Sequence, residues 1–298
     1  MSKQPLVTIG IPTYNRPEGL YRTLESITAQ TFKNIEIIVS DNCSENKMVK
    51  DVIDKFRSLD SRIISFTQET NIGVIDNFKF VLQKSTGDYF MWAADDDEWS
   101  TEFISELMLI IGDHSAAFSN YSIKHRMNGQ VEHIKIKESA MGNNKYEQAR
   151  NFLRERIPSL FYGLYRTKDI KWFINTDKIF DWFDCYLIFK TILLDNGFAF
   201  SDKELYTAGM HGSAYEYKPL KPNGKRIFNY APYFIQSSRI IFQSEINILQ
   251  KIKLLVYLTD VNFRSFLVTE KVRKNYKFYA FLYKIYNRLR PPLYFHEH

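Results

Sequence analysis

The chain has only two cysteines in 298 residues, Cys43 and Cys185, far apart in sequence. That excludes a disulfide framework and a cysteine-built metal cluster, and it points to a reducing compartment. Long apolar runs are missing as well, since no segment approaches the roughly 20 residues that a spanning helix needs. The N-terminus, MSKQPLVTIGIPTYN, lacks the cationic lead and apolar core of a secretory signal. These absences predict a cytoplasmic protein that is not integral to a membrane. Charge of one sign is not in great excess either. A net charge of +6 and a pI near 9.0 do not mark a nucleic-acid binder, which concentrates Lys and Arg into one patch. They suit equally an enzyme that attracts a small polyanion.

What is present is ordinary for a folded chain: 45% hydrophobic and 25% charged residues, at a length that buries a substantial core. Aromatic content is high at 16%, with 19 Tyr and 24 Phe. From residue 7 short apolar runs alternate with amphipathic segments. The pattern predicts strands at 6–11, 35–40, 62–68 and 88–94, and helices from Pro17, over 44–59 with Ser44 as its cap, and over 74–85. Such alternation predicts an α/β fold, a Rossmann-like parallel sheet with helices on both faces. Ligands bind such sheets at the carboxyl ends of the strands, which places residues 13–16, 41–44, 71–73 and 95–97 along one rim. Further on, strands are expected at 116–125 and 131–137, a helix ending before Pro158, and a helix over 180–197 closed by Gly197. The basic, Pro- and Gly-containing stretch 217–226 reads as a loop or linker and 227–290 as mostly helical. The expected domains are therefore 1–216 and 217–298.

Three adjacent carboxylates, Asp95, Asp96 and Asp97, follow the fourth strand. Like charges this close repel, and a hard divalent cation such as Mg²⁺ or Mn²⁺ would relieve them while taking the rest of its shell from water and phosphate. The plain alternative is a solvated acidic turn capping a helix that begins near Ser100.

As an ordered set, VTIGIPTYNR (7–16), IEIIVSDNCS (35–44), NIG (71–73) and GDYFMWAADDDEW (87–99) resemble family 2 of the inverting glycosyltransferases, which have the GT-A fold. The resemblance covers about residues 5–215. It implies transfer of a sugar from a nucleotide diphospho-sugar, expected to be a UDP-sugar, to a hydroxyl of a glycan or lipid-linked glycan in bacterial surface-polysaccharide synthesis. It also implies that Pro12, Thr13, Tyr14 and Arg16 line the nucleotide pocket and that Asp41 bonds the base or ribose. Asn71 and Gly73 join the pocket or form a structural turn. Asp95 is expected at the ribose, with Asp96 and Asp97 at the metal, Mn²⁺ or Mg²⁺. The acidic motif departs from the commoner Asp-any-Asp-Asp form, because Ala94 stands at its first position.

An inverting transfer needs one general base, which the resemblance places at the start of a downstream helix. Asp181 and Asp184 are the candidates, and spacing to Gly197 favours Asp184. His211, between glycines, is expected to ligate the metal or contact phosphate. Residues 271–294 interleave Lys and Arg with Tyr, Phe, Leu and Ile. They suit a peripheral contact with the inner face of the membrane, or packing on the domain or a second copy. Nucleic acid is not an expected partner. The competing readings are a carbohydrate-binding or scaffold protein on the same fold, and a sugar-phosphate nucleotidyltransferase. The latter normally begins with a Gly-rich phosphate loop that IGIPTYNRPEG lacks.

Overall fold

The structure is a computed structural model that describes residues 4–136, 142, 144–155, 157–176, 182–210 and 230–274. The chain divides into two compact units that interleave in sequence. The first comprises residues 1–136, 159–179 and 198–218, and the second 137–158, 180–197 and 219–298. The expected domains meet at a single point in sequence, whereas in these units two helical segments from within 1–216 pack with the C-terminal helices.

The first unit opens with β1 (Val7–Thr13), α1 (Pro17–Thr28), β2 (Ile35–Asp41), α2 (Met48–Leu59), β3 (Ile63–Thr67), α3 (Val74–Gln83) and β4 (Tyr89–Trp92). Pro17 stands at the first helical turn as expected, where its missing N–H removes no bond. Strands β3, β2, β1 and β4 lie side by side in that order, all parallel. Every residue of β1 is buried, as a central strand covered on both faces should be. Helix α1 packs through Leu20, Leu24 and Ile27, and α2 through Val49, Ile53 and Phe56, each at helical spacing. Helix α2 starts at Met48 without a side-chain cap, so Ser44 is not its cap.

Beyond β4 come β5 (Glu98–Trp99), α4 (Phe103–Ile110), β6 (Ala116–His125), β7 (Val131–Ile134) and β8 (Leu164–Arg166). After β8 the chain runs through the short α6 (Thr167–Ile170), and it returns to the sheet as β9 (Phe198–Met210). Among the described residues the sheet has nine strands, ordered β3-β2-β1-β4-β8-β6-β9-β5 with β7 on β6. The joins at β4–β8, β6–β8 and β5–β9 are antiparallel, while β6 and β9 run parallel. Behind β4 lies an aromatic core. Trp92 is fully buried, stacks on Phe161 at 4.4 Å, meets Phe90, Tyr165 and Phe173 edge-on, and donates its indole N–H to the Phe78 carbonyl at 3.0 Å. A large ring whose polar edge is also satisfied fixes the end of β4 firmly, immediately before the three acids.

The second unit contains α5 (Lys145–Glu155), α7 (Phe183–Leu193), α8 (Tyr230–Gln243) and α9 (Ile248–Lys274). Phe152 of α5 stacks on Phe189 of α7 at 6.4 Å, and Tyr233 of α8 takes Trp182 edge-on at 5.4 Å. Gly197 has φ of 61°, in keeping with its expected place after the helix. The loop expected at 217–226, and the tail from 275 onward, lie outside the described residues.

Candidate functional site

The strands end where the polar residues were expected. Thr13 and Asp41 are register partners at the carboxyl ends of β1 and β2. Past Thr13 the chain turns through Asn15 in a left-handed conformation, φ 55°, which Asn tolerates better than most residues. The Asn15 backbone N–H donates to Ser44 Oγ at 2.8 Å, and its side-chain oxygen accepts from the Asn46 N–H at 3.0 Å. The buried Asp41 accepts on Oδ1 from the Ser44 N–H at 3.1 Å and its hydroxyl at 2.5 Å. Ser44 therefore organises the rim instead of a helix end. Asp41 Oδ2 has no hydrogen bond among the described residues, so only one carboxylate oxygen is anchored by Ser44.

Asn71 and Gly73 form a turn. Gly73 has φ of 85° and donates its N–H to Asn71 Oδ1 at 2.9 Å, a geometry that favours glycine. Asn42, buried beside Asp41, donates to Asn71 Oδ1 at 3.0 Å and accepts from the Ile72 N–H at 2.9 Å. The amide thus ties the 71–73 loop to the end of β2. The structural role of Asn71 and Gly73 is present, and Asn42 is the residue that reading the sequence passed over.

The acidic turn is not solvated. Asp95 is 7% and Asp97 4% exposed, and α4 begins only at Phe103, without a side-chain cap. Asp95 Oδ2 accepts from Thr13 Oγ1 at 2.8 Å and from the Tyr14 N–H at 3.3 Å. Arg16 Nη1 lies 2.9 Å from both Asp95 Oδ1 and Asp96 Oδ2, so one guanidinium nitrogen serves two carboxylates. Asp97 accepts on Oδ1 from the Gly209 N–H at 2.8 Å and on Oδ2 from the Tyr206 hydroxyl. Arg126 Nη2 donates to the Asp96 carbonyl at 2.9 Å and pairs with Glu98 at 2.8 Å.

Close backbone approach holds the turn from two sides. A Cβ on Gly19 of α1 would stand 2.3 Å from the Asp95 carbonyl oxygen, and one on Gly209 of β9 would stand 2.2 Å from that of Asp96. Below them Thr23 Oγ1 lies within 3.0 Å of the Ala94 and Asp97 carbonyls. Gly19→Ala must push backbone aside, and is expected to cost about 1–3 kcal/mol, read as a lowered melting temperature.

Positive charge is short inside this turn. Burial, and then the neighbouring Asp96 charge, push the Asp97 carboxyl up to about 8 from its ordinary 3.8, against the Tyr206 and Gly209 hydrogen bonds that favour the charged form. Burial also raises Asp95, although Arg16 opposes it. The Tyr206 hydroxyl is raised by its own burial and by Asp97. A carboxyl raised on folding binds more protons in the folded state, so stability falls as pH climbs between the unfolded and folded values. In chelator, the melting temperature is expected to decline as pH rises from near 3.8 toward about 8. Asp97→Asn, which keeps the Gly209 bond, should flatten that slope; an unchanged slope would assign the loss to other groups.

The sequence-derived candidates divide between the units. Pro12, Thr13, Tyr14, Arg16, Asp41, Asn71, Gly73, Asp95, Asp96 and Asp97 all belong to the first. Asp184 belongs to the second, in the first turn of α7, where its Oδ1 accepts from the Cys185 N–H at 2.8 Å. That helix starts from Trp182 in a left-handed conformation, φ 71°, a strained geometry for a bulky residue. Asp181 and His211 lie outside the described residues. Reading the sequence missed Tyr206 and Gly209. Their signal lay in YTAG (206–209), which belongs to the end of β9.

Positions 8–173 match the family model described as glycosyl transferase family 2. The chain is 36% identical over 121 residues to UDP-Glc:alpha-D-GlcNAc-diphosphoundecaprenol beta-1,3-glucosyltransferase WfaP of Escherichia coli, covering 40% of this chain and 47% of that protein. It is 28% identical over 164 residues to GalNAc(5)-diNAcBac-PP-undecaprenol beta-1,3-glucosyltransferase of Campylobacter jejuni, covering 54% of this chain and 52% of that one. The match spans about half the length of these curated relatives. Among solved structures, S. aureus TarS 1-349 in complex with UDP-GlcNAc superposes with a TM-score of 0.67 at 17% identity, covering 95% of this chain and 79% of that one. The likeness shows the GT-A fold that the sequence led us to expect.

Proposed function

Since this chain belongs to glycosyl transferase family 2, matching its model over residues 8–173, we propose that it moves a sugar from a UDP-sugar to a hydroxyl of a lipid-linked glycan, with inversion. One observation carries the donor half of this reading. Thr13, Tyr14, Arg16, Asp41, Asp95 and Asp96 converge at the carboxyl rim of four parallel strands. Two relatives named as glucosyltransferases on undecaprenol-diphosphate glycans, and a structural neighbour complexed with UDP-GlcNAc, support the donor and acceptor classes. Surface-polysaccharide assembly at the inner face of the cytoplasmic membrane is the setting that such an acceptor implies.

Each residue takes a role that its chemistry permits. Asp41, acceptor-only, suits a uracil N–H or a ribose hydroxyl. Tyr14, 39% exposed at the rim, offers its ring to the base, and Pro12 and Thr13 shape the floor. Asp95, held by Thr13 and Arg16, is assigned to the ribose.

A hard divalent cation, Mn²⁺ or Mg²⁺, takes one or two protein carboxylates and fills its shell with water and phosphate, which the acids of this turn suit, although among the described residues no group of three or more His, Cys, Asp or Glu is arranged to hold a metal on its own. Asp96 would hold it. Asp97, expected beside Asp96 at the metal, accepts one hydrogen bond on each oxygen, from Gly209 and Tyr206, which stiffens the turn and leaves each oxygen a further lone pair, so it stays a proposed ligand. His211 remains a proposed further ligand. When bound, such a cation would supply neutralising charge to a departing diphosphate. We assign Arg16 to the developing phosphate charge and Asp184 to the acceptor proton, with Asp181 as the other candidate.

A panel of nucleotide sugars with Mn²⁺, scored for nucleotide diphosphate release with and without chelator, tests the reading. UDP-sugars are expected to dominate and chelation to abolish release. Tight binding of nucleotide sugar with no release under any condition would favour a binding protein instead.

A further inference from the structure

Helix α9 has two apolar faces, and only one of them is covered. Leu254, Leu258 and Val261 are buried within the second unit. Ile248, Ile252, Val256 and Phe263 recur at spacings of four, four and seven on the opposite side, with Leu249 beside them, and these five side chains are 42 to 67% exposed. Thr259 interrupts this stripe and Asp260 stands at its edge, but its other positions are apolar, where a helix that needed to bury one stripe would carry polar residues. Lys253 is exposed at the edge of the stripe, and Lys251 Nζ donates to the Phe242 carbonyl at the end of α8. That contact brings Phe242, itself 60% exposed, against the first turn of α9.

Charge tells what such a face meets. Residues 219–298 hold fourteen Lys and Arg against four Asp and Glu, a net +10 in a chain whose total is +6. The remaining 218 residues are therefore net −4. In sequence the positive charge is thus segregated into the stretch that carries the exposed stripe, where Lys251 and Lys253, with Arg264 just beyond, stand against Asp260. An apolar strip within a cationic segment is complementary to an anionic lipid surface, with side chains entering the acyl boundary and cations at the headgroups. A second copy of the chain would bring like charge to like charge.

We propose that the Ile248–Phe263 face of α9 is a docking surface for an anionic bilayer. The contact lies in the plane of the membrane, and it needs neither donor nor acceptor. Among the described residues no helix is long and apolar enough to cross a membrane.

The test is flotation of the full chain with vesicles of phosphatidylglycerol and phosphatidylcholine, against phosphatidylcholine alone, at low and high salt. The chain is expected to float with the anionic vesicles, less so as salt rises, and not with the neutral ones. Ile252→Gln combined with Val256→Gln should lower partitioning about tenfold with an unchanged melting temperature, since both side chains are about half exposed. Absence of anionic binding by the unaltered chain would overturn the proposal. Equal binding by the double variant would overturn it too, as would a dimer in light scattering that the double variant returns to monomer. Nucleotide diphosphate release, followed in parallel, keeps the two readings separate: its failure with flotation intact speaks against the proposed reaction and not against this surface.

Discussion

Asp96→Ala is expected to lower sugar transfer about a thousandfold, the scale of removing one well-placed stabiliser of developing charge. The argument begins with the partition of labour among three neighbouring acids. Asp95 and Asp97 are buried and bonded on both oxygens, Asp95 to Thr13, Tyr14 and Arg16, Asp97 to Gly209 and Tyr206. Removing either leaves buried donors unmatched and should damage the turn itself. Asp96 is the acid that meets Arg16 from a less buried position, so its loss is expected to leave the fold standing. Two readouts check this. The melting temperature of Asp96→Ala in chelator should match that of the unaltered chain, and the enhancement of UDP binding by Mn²⁺ should vanish. A variant that still binds UDP more tightly with Mn²⁺ would move the ion to other residues.

Asp184→Asn should cut transfer by about 10²- to 10⁴-fold, the usual contribution of a positioned general base, while donor affinity stays unchanged. Asparagine keeps the shape and can still accept from the Cys185 N–H, so the start of α7 survives while the proton acceptor is lost. The pattern to look for is a fall in kcat with little change in donor KM. Asp181→Asn is the necessary companion. If it loses transfer and Asp184→Asn does not, the base is Asp181.

Much of the first unit was legible because its signals are local. Buried strands such as VTIGI and IEIIV, and helices such as α1 with Pro17 in front, state their own period and punctuation. The rim followed from the rule for parallel sheets, and the acids fell on it. What stayed hidden depends on distant partners. β8 is three residues long, too short to show alternation, and β9 is interrupted by Asp202, Lys203 and Glu204 close to a register shift against Ser119 and Asn120. Tyr206 looked like any aromatic until β9 brought it to Asp97. Ser44 had the right type for a helix cap, yet Asp41 three residues earlier competes for its hydroxyl. Helical periodicity announced α5 and α7 but could not say which body would bury them.

That last assignment constrains how the protein can be made. Because α5 and α7 pack among themselves and with α8 and α9, a chain emerging from the ribosome holds two helices with uncovered apolar faces in waiting until its final stretch is synthesised. A fragment stopped near residue 216, a natural place to cut from the sequence, would carry both helices with part of their packing partners missing. It should be found in aggregates, or bound to chaperones, instead of serving as a minimal catalyst.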